Sequence, residues 1–168
     1  MSDAVDAIIG QWVAERPDLE EHLWPVHVLG RLQRLGRVLD KEFKSFAAKR
    51  GLELGEVDVL ITLQRSGPPY ELSAGALLKA AMVTSGAITN RIDRMEAKGL
   101  VERVRDGVDR RTVNIRLTEG GHEVAREYMG AHLANEARML REFSREECEQ
   151  VGNSLRKLLE QFGDTSIG

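Results

Sequence analysis

The chain carries one cysteine in 168 residues, which excludes an internal disulfide framework and points to a reducing, cytoplasmic setting. No apolar run approaches the roughly 20 residues of a membrane-spanning helix, so no membrane partner is expected. The opening MSDAVDAIIGQWVAERPDLE is acidic and lacks the cationic start and long apolar centre of a signal peptide. A Gly-rich phosphate loop, an HExxH motif and a serine or cysteine nucleophile in a recognisable setting are all missing, which argues against an enzyme. His22 and His27 are out of step on a helix, and His122 and His132 have no cysteine nearby, so neither a metal site nor a cofactor is expected. Internal repeats, low-complexity tracts and linkers are also absent.

What remains is an ordinary folded composition, 42% hydrophobic and 30% charged, at a length that suits one domain over 1–168. Val5, Ile8, Ile9, Trp12 and Val13 recur at helical spacing over 3–15, and Pro17 ends that helix. A longer helix runs from about Pro25 to Arg50 with Leu29, Leu32, Leu35, Leu39, Phe43 and Phe46 on one side, stopped by Gly51. A third helix covers roughly 54–66 and closes at Gly67-Pro68-Pro69. Ser73 caps a fourth helix, with Leu72 and Leu77 at staple positions, and Thr84 or Ser85 caps a fifth that ends at Gly99. Val113, Ile115 and Leu117 alternate with polar residues as one strand of a hairpin, while its partner, Val101 to Arg105, alternates less cleanly. Thr118 caps a sixth helix, and Ser144 with Glu147 forms the capping box of the last. The expected fold is therefore mainly α with a small β-hairpin wing, a winged helix-turn-helix.

The net charge of −3 hides a polarity. Residues 84–116 hold eight basic side chains (Arg91, Arg94, Lys98, Arg103, Arg105, Arg110, Arg111 and Arg116) against five acidic ones, a local surplus of three. Local sign matters for phosphate contact, because salt screens charges beyond about 8–10 Å.

The fifth helix has the chemistry to enter a major groove. Ser85, Thr89 and Asn90 are short donor-acceptors, Gly86 permits close approach, and Arg91 and Arg94 can reach guanine edges or phosphates. These residues lie off the apolar seam Ile88, Ile92 and Met95. Arg110 and Arg111 at the hairpin tip suit an adjacent minor groove or the phosphates beside it. Double-stranded DNA is the expected partner.

MVTSGAITNRIDRMEAKGLVER followed by DGVDRRTVNIRLTEGG resembles the recognition helix and wing of the MarR family of transcriptional regulators, and the likeness extends over about 26–160. The resemblance implies a homodimer built from the N- and C-terminal helices, here 1–50 and 118–168, around a DNA-binding lobe over 54–117. It also implies a pseudo-palindromic operator and action as a repressor or activator, with repression expected. The terminal helices carry more apolar surface than the reading lobe could cover, which independently suggests sharing between two chains. Some members of the family sense peroxide through a cysteine near the N-terminus; Cys148 instead sits at the staple position of the last helix, opposite Phe143, and reads as core or interface.

The third helix is apolar around most of its circumference, yet Asp58, Thr62 and Arg65 form one polar stripe. A buried carboxylate without a partner is costly or becomes protonated, so Asp58 either pairs with an arginine or faces a wet cavity. An extra N-terminal helix carrying a tryptophan is similar to the urate-responsive branch of the family. That likeness implies a ligand site at Trp12, Asp58, Arg65 and Arg91 for an anionic purine or phenolate, although Trp12 can equally serve to pack the extra helix. A ligand competing with Asp58 for Arg91 would then tilt the reading helix out of groove register.

Overall fold

The structure, a computed structural model, describes residues 2–80, 88–105 and 113–167. The chain divides into two compact units, Met1–Gly51 and Leu52–Gly168.

The first unit is helical. Helix α1, Ala4–Glu15, starts at a capping box: the Asp3 carboxylate accepts from the amides of Val5 and Asp6, and the Asp6 carboxylate accepts from the amide of Asp3. A short 3-10 turn, Pro17–His22, begins at Pro17, and α2 covers Trp24–Ala48 with Pro25 in its first turn. Arg31 of α2 clamps the start of α1, with Nε 2.8 Å from Asp3 and Nη2 2.6 Å from Asp6. Gly30 lets the two helices approach, since a Cβ there would meet the side chains of Val5 and Val26 at 3.3 Å. Of the apolar residues expected to line these helices, Val5 is buried, whereas Ile8, Trp12, Leu29 and Leu35 stay exposed, joined by Trp24, Val28 and Val38.

The clamp is sensitive to acid. The amide of Asp6 holds the Asp3 carboxyl below its ordinary value of 3.8, with the Val5 amide and Arg31 adding to the effect. The amide of Asp3 and then Arg31 do the same for Asp6. Carboxyls that ionise more readily in the folded chain stabilise it fully above their unfolded value, near pH 4, and that contribution is lost as the pH falls through their lowered values. In an NMR titration the amide resonances of Val5, which bonds to the Asp3 carboxylate, and of Asp3, which bonds to that of Asp6, should therefore move with midpoints below 3.8, and Arg31→Met should raise both midpoints. Midpoints unchanged by the substitution would remove Arg31 from the clamp.

The second unit is built on a three-stranded antiparallel sheet. Its elements are α3 (Leu54–Arg65), β1 (Glu71–Ser73), α4 (Ala74–Ala80), α5 (Ile88–Ala97), β2 (Val101–Arg105), β3 (Val113–Leu117), α6 (Glu119–Met139) and α7 (Arg145–Gln161). The expected hairpin is present as β2 against β3, with Arg103 opposite Ile115. A third strand, β1, adds to the other edge of β3 with Leu72 opposite Ile115, giving the order β1-β3-β2. Three residues are too few to show a period, which is why the sequence reads there only as the approach to a helix cap. Since β3 is the central strand, its burial departs from simple alternation: Asn114 is buried and bonds to Glu71, while Val113 is exposed.

The caps follow the local sequence. Ser73 Oγ accepts from the amide of Ala76, Thr118 Oγ1 from that of Gly121, and Ser144 with Glu147 makes the reciprocal box of α7. Leu60, Leu63, Leu77, Met95, Val101, Ile115 and Leu117 form the core. Residues 118–168 belong to the same unit as the sheet, and α6 packs on α3. The outer face of α7 is left uncovered at Val151, Leu155 and Leu159. Cys148 is half-buried in its first turn, and Phe143 is half-exposed.

Candidate nucleic-acid interface

Helix α5 presents two sides. Ile88, Ile92 and Met95 are buried at the i, i+4 and i+7 spacing that the seam requires. Its C-terminus closes at Gly99, whose φ of +68° places it in the left-handed region; the amide of Leu100 donates to the carbonyl of Met95 at 2.9 Å. Thr89 and Asn90 lie on the exposed side. Of the other residues expected to touch DNA, Ser85, Gly86, Arg110 and Arg111 lie outside the described residues.

Of the two arginines of α5, Arg91 is partly buried against α3, short of the outward placement that the helix pattern suggests, while Arg94 is exposed and reaches back to the start of α3. The Arg91 guanidinium lies against Gly55 of α3, close enough that a Cβ on Gly55 would stand 2.5 Å from its central carbon. Its Nε and Nη1 are shielded from solvent and meet no hydrogen-bond acceptor among the described residues. Asp58 stands one turn further along the same side of α3, with Oδ2 shielded from solvent.

Arg94 turns to the start of α3, where Nη2 donates to Glu53 at 2.6 Å. Beside it, Glu56 is fully buried. Its carboxylate accepts from the amide of Glu53 at 2.9 Å and from the Lys98 ammonium at 2.7 and 2.9 Å, and Arg94 Nε stands 3.9 Å away. On its other flank α5 is held by β2: Arg103 donates to Asp93 at 2.6 Å and to Glu96. Arg116 of β3 pairs with Glu102 at 2.8 Å and lies 3.8 Å from Glu71. Three carboxylates from outside 84–116, Glu53, Glu56 and Glu71, thus reach basic side chains of that segment. Sequence reasoning missed Glu53, Glu56 and Lys98 as parts of the site. The available signal was a glutamate at the third position of α3 among apolar neighbours, which reads equally well as an ordinary helix cap.

The residues implied as a ligand site are only partly brought together. Arg65 Nη2 donates to the carbonyl of Ala80, at the end of α4, and reaches the buried Thr62 hydroxyl at 3.5 Å. The polar stripe on α3 therefore exists, but Arg65 uses it to tie α3 to α4. Trp12 belongs to the first unit, with about half its surface exposed, at 48%. Among the described residues, no group of three or more His, Cys, Asp or Glu is placed to hold a metal ion. No helix among them is long and apolar enough to cross a membrane.

Comparison with known proteins agrees with this architecture. The model of the MarR family matches residues 50–112, which takes in α3, β1, α4, α5 and β2. The HTH-type transcriptional regulator PecS of Dickeya dadantii is 37% identical over 143 residues, covering 85% of each chain. Among solved structures, AbsC, a MarR family transcriptional regulator from Streptomyces coelicolor, superposes with a TM-score of 0.70 at 23% identity over 88% of this chain and 97% of its own. A cysteine-to-serine mutant of MarR from E. coli, complexed with operator DNA, gives 0.68 at 21% identity over 94% and 99% of the two chains. These relatives are transcriptional regulators, not enzymes. The 37% identity to PecS along most of both chains, with the family model over 50–112 and the fold shared with AbsC, places the chain in the MarR family of winged-helix transcriptional regulators.

Proposed function

We propose that the protein binds a pseudo-palindromic operator as a homodimer, acts as a repressor, and is released by a small anionic or aromatic ligand such as urate. What supports DNA reading is the edge of α5 that exposes Thr89 and Asn90 beside an arginine-bearing hairpin, in a family with a member solved on operator DNA. Two-fold symmetry would set two such helices about 34–36 Å apart, one helical turn of DNA. The uncovered apolar residues of α2 (Trp24, Val28 and Leu29) and of α7 (Val151, Leu155 and Leu159) supply surface for a second copy.

The observation that carries the ligand response is Arg91. It stands on the reading helix, its Nε and Nη1 are buried, and the acceptors they lack are what an anionic ligand provides. Taking Arg91 away from the side of α3 that carries Gly55 and Asp58 would move α5, and a coupling of about 1–3 kcal/mol suffices for a 5–150-fold loss of operator affinity. Arg65 joins the site in this reading by leaving the Ala80 carbonyl; Trp12 enters it through the family resemblance alone.

A gel shift with the promoter DNA beside its own coding region tests the reading. The duplex should be retarded at a protein concentration of about 10⁻⁸ M, more weakly as salt rises, and released by urate more effectively than by salicylate. Titration calorimetry with urate should show weaker binding for Arg91→Ala and Arg65→Ala. Equal heats for wild type and both variants would remove the arginines from the site, and a monomer in light scattering would remove the operator geometry.

A further inference from the structure

We propose that Glu53 limits the affinity of the reading helix for DNA by occupying Arg94 in place of a phosphate. The inference rests on the regulator reading above and concerns a residue outside the helix-turn-helix itself. Two carboxylates at the start of α3 treat α5 differently. Glu56 is fully buried and engaged on both oxygens, by the Glu53 amide and the Lys98 ammonium, so it fixes the last turn of α5 to α3. Glu53 is exposed over 62% of its side chain and Arg94 over 46%, and a single 2.6 Å contact joins them. Exposed pairs of this kind are weak and solvent-screened, whereas a buried carboxylate with both oxygens engaged resists rearrangement.

Arg94 can therefore exchange Glu53 for a DNA phosphate while Lys98 and Glu56 keep α5 in place. The geometry separates a permanent anchor from a releasable cover on the same turn of α3. Each binding event must displace a carboxylate that mimics the phosphate's charge, and the displaced carboxylate then faces the DNA backbone. Glutamine at this position keeps the length and the amide oxygen but removes the charge, so Arg94 reaches phosphate without competition.

Fluorescence anisotropy with a random-sequence duplex of about 30 base pairs, long enough for two half-sites, reads this directly at about 50 mM salt. Glu53→Gln and Glu53→Ala should each tighten binding about 3–10-fold, and the gain should shrink as salt screens the pair. In an Arg94→Ala background the same substitutions should change affinity by less than about twofold, because the competed group is gone. Circular dichroism confirms that each variant is folded. Tightening of equal size in both backgrounds reduces the effect to bulk charge and overturns the proposal, as does wild-type affinity in both Glu53 variants. Wild-type protein that binds neither this duplex nor its promoter DNA overturns the regulator reading itself, a result separable from the other two.

Discussion

Alanine at Gly121 lowers the melting temperature by roughly 6–12 °C, whereas alanine at the adjacent Gly120 leaves it unchanged or raises it slightly. The two glycines open the same helix and differ only in what a methyl group would meet. At Gly121 the added Cβ would overlap the carbonyl oxygen of Leu100, stand 2.9 Å from its carbonyl carbon and press on Leu117 at 3.3 Å. Backbone cannot swing aside as a side chain can, so the first turn of α6 must lift. That movement strains the bond from the Thr118 amide to Leu100, 3.2 Å, and the cap from the Gly121 amide to Thr118 Oγ1, 2.9 Å. Overpacking of this kind costs about 3 kcal/mol, at the upper end of its usual range. At Gly120 the nearest atoms lie at 3.6 and 3.8 Å, ordinary contact distances, and alanine gains helix propensity. Thermal denaturation of the two variants side by side checks the pair. Similar melting temperatures for both would mean that α6 does not rest on Leu100.

The contrast between these glycines also marks what a sequence can express. Helix caps are local, and the Ser73, Thr118 and Ser144 hydroxyls all accept the amides that their spacing predicts. The seam Ile88, Ile92 and Met95 is legible for the same reason, since its period is set by one helix. Contacts made across the chain leave no such trace. Gly121 looks like a second glycine after a cap, and only the fold brings Leu100 onto it. Glu56 reads as a capping residue, which it is, but its bond to Lys98 joins positions 42 apart. Arg94 reaches Glu53 across 41 residues. The positive surplus over 84–116 was readable from composition, yet composition does not tell that carboxylates at the start of α3 and in β1 reach Arg94, Lys98 and Arg116. The polar stripe of α3 was legible as a stripe, while the use of Arg65 to close α4 depends on where α4 ends.

Replacing Asn90, Arg94 and Arg111 together by alanine should lower duplex affinity at least about 100-fold, with the three single changes failing in different ways. Asn90 is exposed on α5 and carries a side-chain amide suited to an adenine edge, so its loss should flatten sequence preference and leave the salt dependence alone. Arg111 is expected at the wing tip as a phosphate or minor-groove contact; its loss should weaken all sequences alike and reduce the salt slope by about one. Arg94 should behave as a phosphate contact of reduced effect, because in the free protein it is already satisfied by Glu53 at 2.6 Å and its release must be offset. The order of loss should therefore be Arg111 greater than Arg94, although Arg94 stands on the reading helix itself. A binding series over salt with the promoter duplex and with a scrambled one separates the three. If the triple variant binds both duplexes as tightly as wild type, α5 and the wing are not the reading surface, however well the remainder of the unit superposes on its relatives.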